Sequence, residues 1–137
     1  MRLVILLLFI SCSSYGQNEF QKLIGRWEGI QGRDTLTLVF DTDTVITMSN
    51  KNDRIVIGGR DNIRKGKKVR MIYAVDTSQK PFGIDFIIEE IEGKVEQGRM
   101  KGIIEFLSDK EIRIDFGPSK DRPVAFGQSA VNLIKKE

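Results

Sequence analysis

The sequence contains no histidine among its 137 residues. Imidazole is the side chain that most readily exchanges a proton near neutral pH, and it is the commonest zinc ligand. Its absence excludes nucleophilic catalysis by serine or cysteine with a histidine base. Cysteine occurs once, as Cys12, so the chain forms no internal disulfide and holds no cysteine-rich zinc site. Charge of one sign is also scarce: the formal net charge is only +3, far from the excess of a dedicated nucleic-acid binder. No phosphate-cradling glycine loop is present, because "GGRDN" (58–62) is not followed by a helical pattern and reads as a turn. No repeat, low-complexity tract or composition shift divides the chain.

One long apolar run does occur. "LVILLLFI" (3–10) follows Met1-Arg2 and precedes the small, polar "SCSSYG" (11–16). The run is too short to span a bilayer as a helix. Its flanks are those of a secretory signal peptide over 1–16, which gives an exported domain over 17–137, periplasmic or secreted. Two processing routes stay open: cleavage before Gln17, or a lipoprotein anchored through Cys12 in "FISC" (9–12). Loss of Arg2 lowers the charge to about +2.

What fills the rest is strand pattern. "NEFQKLIG" (18–25) spaces Phe20, Leu23 and Ile24 for one helical turn that ends at Gly25. "DTLTLVF" (34–40) alternates strictly, as a half-buried strand does. Further strands are expected over 26–30, 45–48, 54–59, 69–76, 84–91, 100–107, 111–116 and 130–135, joined by short turns at 49–53, 64–68 and 108–110. Pro81 lacks an N–H for a sheet ladder, so it belongs to the connection between 69–76 and 84–91. Residues 92–98 read as a polar connection and 117–123 as a loop. Eight or nine short strands with tight connections predict an all-β domain, an up-and-down antiparallel barrel behind a short N-terminal helical turn.

Gly25-Arg26-Trp27 is a G-x-W motif where that helical turn enters the first strand. With Tyr73, Asp76, Pro81, "IDF" (84–86), "GIIEF" (102–106), and Arg122, Pro123 and Phe126, the chain resembles a family of small exported bacterial lipocalin-like domains. The resemblance spans residues 20–136 and implies a lipocalin-like barrel whose motif tryptophan, Trp27, plugs one end. It also implies a basic residue stacked on that tryptophan, with Lys135 and Arg122 as candidates.

A barrel of about eight strands is either filled by its own side chains or holds one small ligand. Alternation turns Leu36, Leu38, Phe40, Val69, Met71, Tyr73, Phe86, Ile88, Ile104, Phe106, Ile112, Ile114, Val131 and Leu133 inward. The expected function is non-enzymatic binding of a small apolar or amphipathic molecule. Met71, Tyr73, Phe86 and Phe106 are the lining candidates and Arg113 the polar anchor candidate. Arg113 and Asp115 share a face opposite Ile112 and Ile114, which makes both solvent-facing on the simpler reading. The chain lacks the Arg-x-Tyr motif by which intracellular lipid-binding relatives hold a carboxylate.

The alternative is a filled barrel that binds a protein or an anionic surface of the envelope or membrane through its loops. It would use the basic segment Arg60, Arg64, Lys65, Lys67, Lys68 and Arg70. The same cations also serve to keep an exposed edge from pairing. Asp85, Glu89, Glu90, Glu92 and Glu105 supply carboxylates for acid–base chemistry, but their spacing selects no pair. No enzyme activity, cofactor, metal or nucleic-acid partner is expected.

Overall fold

In the computed structural model, residues 21–136 are described. The expected signal sequence and the Cys12 alternative lie outside them. The chain enters through a helical turn at 21–23 and then forms ten strands. These are β1 (Gly25–Gln31), β2 (Asp34–Phe40), β3 (Ile46–Asn50), β4 (Ile55–Gly58), β5 (Asn62–Arg64), β6 (Lys67–Asp76), β7 (Phe82–Glu90), β8 (Glu96–Ser108), β9 (Glu111–Asp115) and β10 (Val131–Lys135). All pair antiparallel in one sheet of order β4-β3-β2-β1-β10-β9-β8-β7-β6-β5. Chain-order neighbours are sheet neighbours except β4 and β5, and β10 returns to β1, so the sheet curls into a nearly closed up-and-down barrel.

Alternation builds the core. On β6, Val69, Met71 and Tyr73 are buried, whereas Lys67, Lys68 and Ala74 are exposed. All fourteen side chains expected to face inward are buried or pack against the buried cluster. In the interior Phe40, Met71, Phe86, Ile104, Ile112 and Leu133, and Trp27 toward one end, are each at most 1 % exposed. The aromatic rings meet edge-on, Phe40 to Tyr73 at 4.9 Å and Phe40 to Phe86 at 6.2 Å between centroids. Each large side chain buried this way contributes about 1.5–3 kcal/mol.

The sheet closes unevenly. Toward one end, Val45 bridges Ile72, Tyr73 N–H donates to the Thr44 carbonyl at 2.9 Å and Met71 N–H donates to the Gly59 carbonyl at 3.0 Å. Toward the other end, β4 and β5 are the two margins of the sheet and do not pair with each other. Gly58 sits where these regions meet, at φ 85°. A Cβ there would run into Met71 and come within 2.7 Å of the Ile46 carbonyl, so only glycine fits.

Three expectations are corrected. The strands number ten, because 62–64 forms β5; with only Ile63 apolar, it carries no alternation to read. Strand β8 starts at Glu96, inside the stretch read as a connection, because pairing with β7 continues beyond the polar residues through an irregularity at Ile88/Glu89. Asp115 is not solvent-facing: it is 2 % exposed beneath the 116–130 loop. Pro81 does lie in the connection, following the turn in which Asp76 Oδ1 accepts from the Ser78 amide at 2.9 Å and hydroxyl at 2.6 Å.

Candidate functional site

Antiparallel order gathers the helical turn, the start of β7 and the ends of β2, β6, β8 and β10 at one end of the barrel. Trp27 fills the centre of this end. Its indole N–H donates to the Leu23 carbonyl at 2.8 Å, which ties the helical turn down over the ring. Lys135 Nζ lies 5.6 Å from the Trp27 ring centroid and donates to the Lys22 carbonyl at 3.1 Å. Lys22 in turn pairs with Asp109 at 3.0 Å on the β8–β9 turn. Of the two basic candidates for the tryptophan, Lys135 is therefore the one placed there.

At the same end of the barrel, the start of β7 and the end of β8 leave an opening. Lys80, Pro81, Phe82, Ile104, Glu105 and Phe106 border a cleft of about 490 Å³. Phe82 pairs with Ile104 across β7 and β8, and Phe106 lies one inward position further along. Phe82 and Phe106 are only partly buried, whereas Ile104 beneath them is sealed. The cleft therefore has an aromatic rim, an aliphatic floor, and one ammonium group, Lys80, and one carboxylate, Glu105, at its edge.

The lining candidates separate. Phe106 borders the cleft. Met71, Tyr73 and Phe86 lie deeper, packed together with Phe40 in the sealed core. Burial raises the Tyr73 phenol above its ordinary value, and the Asp41 and Asp43 carboxylates raise it further, so the ring stays neutral. Its hydroxyl lies 3.5 Å from the Asp41 carbonyl. Arg113 is elsewhere, on the outer wall: its Nε donates to Asn132 Oδ1 at 3.2 Å and its guanidinium lies 5.4 Å from the Phe126 ring centroid. Phe82 and Lys80 were not among the candidates. Extending the inward parity of Phe86 back to Ile84 and Phe82 finds the first, and Lys80 follows as its neighbour across Pro81.

Asp85, Glu89 and Asp115 are engaged in holding the structure. Asp85 pairs with Arg99 at 2.7 Å and with Arg122 at 2.8 Å, and Arg122 also donates to the Gly102 carbonyl at 2.8 Å. This fixes the 116–130 loop against the outer wall of β7 and β8. Glu89 pairs with Arg70 at 2.7 Å. Asp115 accepts from the Gly117 amide (2.7 Å), the Gly127 amide (2.8 Å) and the Ser129 hydroxyl (2.6 Å), so it knots both ends of the same loop. Burial pushes the Asp115 carboxyl upward, but the Ser129 hydroxyl and the two amides outweigh it and hold the group below the ordinary 3.8.

A second opening lies at the sheet margin. Strands β4, β5 and β6 border a cleft of about 310 Å³ whose floor includes Val69, Met71 and Ile88. Arg60 is engaged by Asp43 and by Asp41 at 3.3 Å, and Arg70 by Glu89. Arg64, Lys65, Lys67 and Lys68 form no ion pair among the described residues. Also among these residues, no helix is long and apolar enough to cross a membrane. Compared with known proteins, the chain matches no family model, no curated protein and no solved structure.

Proposed function

We propose that this chain is an exported, non-enzymatic binding domain of lipocalin-like build. It takes a small apolar or amphipathic molecule at the plugged end of the barrel rather than in a deep interior. The observation that carries this reading is the cleft of about 490 Å³ at the start of β7 and the end of β8, where Phe82 and Phe106 are left partly uncovered while Ile104 is sealed. The volume lies in the range of small-molecule sites, and an apolar surface with Lys80 and Glu105 at its edge suits a molecule with an apolar body and a polar head. The lipocalin-like reading draws support from the meander and from the lysine stacked on the G-x-W tryptophan. Export rests on the sequence over 1–16.

Isothermal titration with dodecanoate tests the binding reading. Saturable binding at one site is expected, weakened at least about tenfold, or about 1.4 kcal/mol, in Phe106→Glu and in Lys80→Glu. Both positions are partly exposed or at the rim, so both variants are expected to keep the fold. Dodecanoate binding that ignores both substitutions would overturn the site.

A second reading is favoured by the filled core and the unpaired cations of 64–68. In it the barrel is a scaffold, and the sheet margin binds a macromolecular partner or an anionic surface of the envelope.

A further inference from the structure

The two edge strands at the sheet margin, each paired on one side only, present backbone groups to the same cleft, and their positions follow from the ladders on either side. Gly59 N–H donates to the Ile46 carbonyl, so bonded pairs between β3 and β4 fall at 48/57 and 50/55. The N–H and C=O of Val56 therefore point away from β3, toward the cleft. On the other side, Ile91 N–H donates to the Lys68 carbonyl, which commits Lys68 and Arg70 to β7 and leaves Lys67 and Val69 to bond β5 at Arg64 and Asn62. Ile63 then faces outward from the sheet edge. Its N–H is taken by the side chain of its own neighbour, Asn62 Oδ1, at 2.8 Å, in place of a strand.

The side chains around these groups suit an extended chain. Val56 is 64 % exposed and Ile63 is 71 % exposed, an apolar surface that β4 and β5 do not bury in each other. The floor of Val69, Met71 and Ile88 offers a place for one inward side chain. The adjoining turn carries Arg64, Lys65, Lys67 and Lys68, which form no ion pair among the described residues, with Asp61 and Glu90 as the nearby acidic groups. Those cations repel a second copy of the same edge. They attract an acidic one.

We propose that an extended peptide segment alternating acidic and aliphatic residues adds as a strand between β4 and β5, bonding the backbone of Val56 and Ile63, with its aliphatic side chains turned toward the Val69 and Met71 floor and its acidic side chains on the face of Lys68, within the positive field of Arg64, Lys65 and Lys67. The inference rests on the second reading above and gives that margin a partner class. Three or four residues of the partner suffice to span the two short edges.

The test is amide hydrogen exchange and chemical-shift mapping of the full mature chain with the capped heptapeptide Glu-Val-Glu-Val-Glu-Val-Glu. The expected result is exchange at Val56 slowed at least about tenfold by bound peptide, together with shifts at Ile63, both lost in 0.5 M salt. Lys67→Glu with Lys68→Glu should abolish binding with the fold retained, because both side chains are exposed. Val56→Pro, which removes the outward N–H and no bond to β3, should do the same. If that variant fails to fold, the charge reversal still decides. Equal binding of the heptapeptide with lysine in place of glutamate overturns the proposal, as does peptide binding that leaves Val56 unprotected. Phosphatidylglycerol vesicles captured through Lys67 and Lys68, with no peptide effect at Val56, overturn strand addition while leaving the surface-binding reading standing.

Discussion

Asp115 is the residue on which a length of irregular chain depends. One carboxylate answers donors from 117, 127 and 129, and so closes a loop that has no strand of its own. An asparagine side chain in its place would keep one acceptor oxygen where three donors converge. Asp115→Asn is therefore expected to cost about 2–3 kcal/mol, measured by chemical denaturation at pH 7. The sign with pH follows from the depressed carboxyl. Its contribution is fully present above the unfolded value near 3.8 and is lost as pH falls through the lower folded value, so wild type and variant should converge only in strong acid. A gap that stays constant down to pH 2 would contradict this role. Gly29 is the steric counterpart. A Cβ there would land on the Asn132 carbonyl and within 2.8 Å of Leu133 Cδ2, where β1 closes against β10. Gly29→Ala is expected to destabilise by at least about 1–3 kcal/mol, read from the urea midpoint.

Among the elements, the strands divide into a well-buried wall and a loose margin. β7 is buried without a break from Gly83 to Ile87 and lies between two long partners. β4 and β5 are short, exposed and paired on one side only. Native-state hydrogen exchange should therefore rank them, with Ile84 and Phe86 amides among the slowest and Val56 among the fastest. Equal protection of the two regions would mean that the margin is closed in solution. The same contrast decides what was legible in advance. Strands with an alternating apolar face, such as 34–40 and 69–76, declare themselves and their inward residues through period two alone. β5 does not, because three residues with one isoleucine have no period, and it exists through pairing with β6. Asp115 was misplaced for a related reason. Parity puts it on the outer wall, and nothing local says that the chain comes back over that wall twelve residues later to meet it. In the candidate site, Phe106 follows from parity, whereas Lys80 reaches the rim only through the path of the 77–81 connection.

For the whole molecule, ten strands commit most of their apolar residues to their own core. A barrel formed by 116 described residues needs that area for stability, and the sealed mid-barrel layer is the result. Closure is incomplete at two places, the cleft at the start of β7 and the β4–β5 margin, and these carry the two proposed binding readings. The central claim is that the plugged end takes a small apolar or amphipathic molecule. Native mass spectrometry of the mature domain, purified without detergent from its own envelope and then extracted under denaturing conditions, tests it most directly. The expected result is one bound small molecule per chain, released on denaturation and missing from Phe106→Glu protein that remains folded by circular dichroism. An apo mass alone in repeated preparations, for wild type as for the variant, would contradict a carrier role and leave the sheet margin as the working surface of the protein.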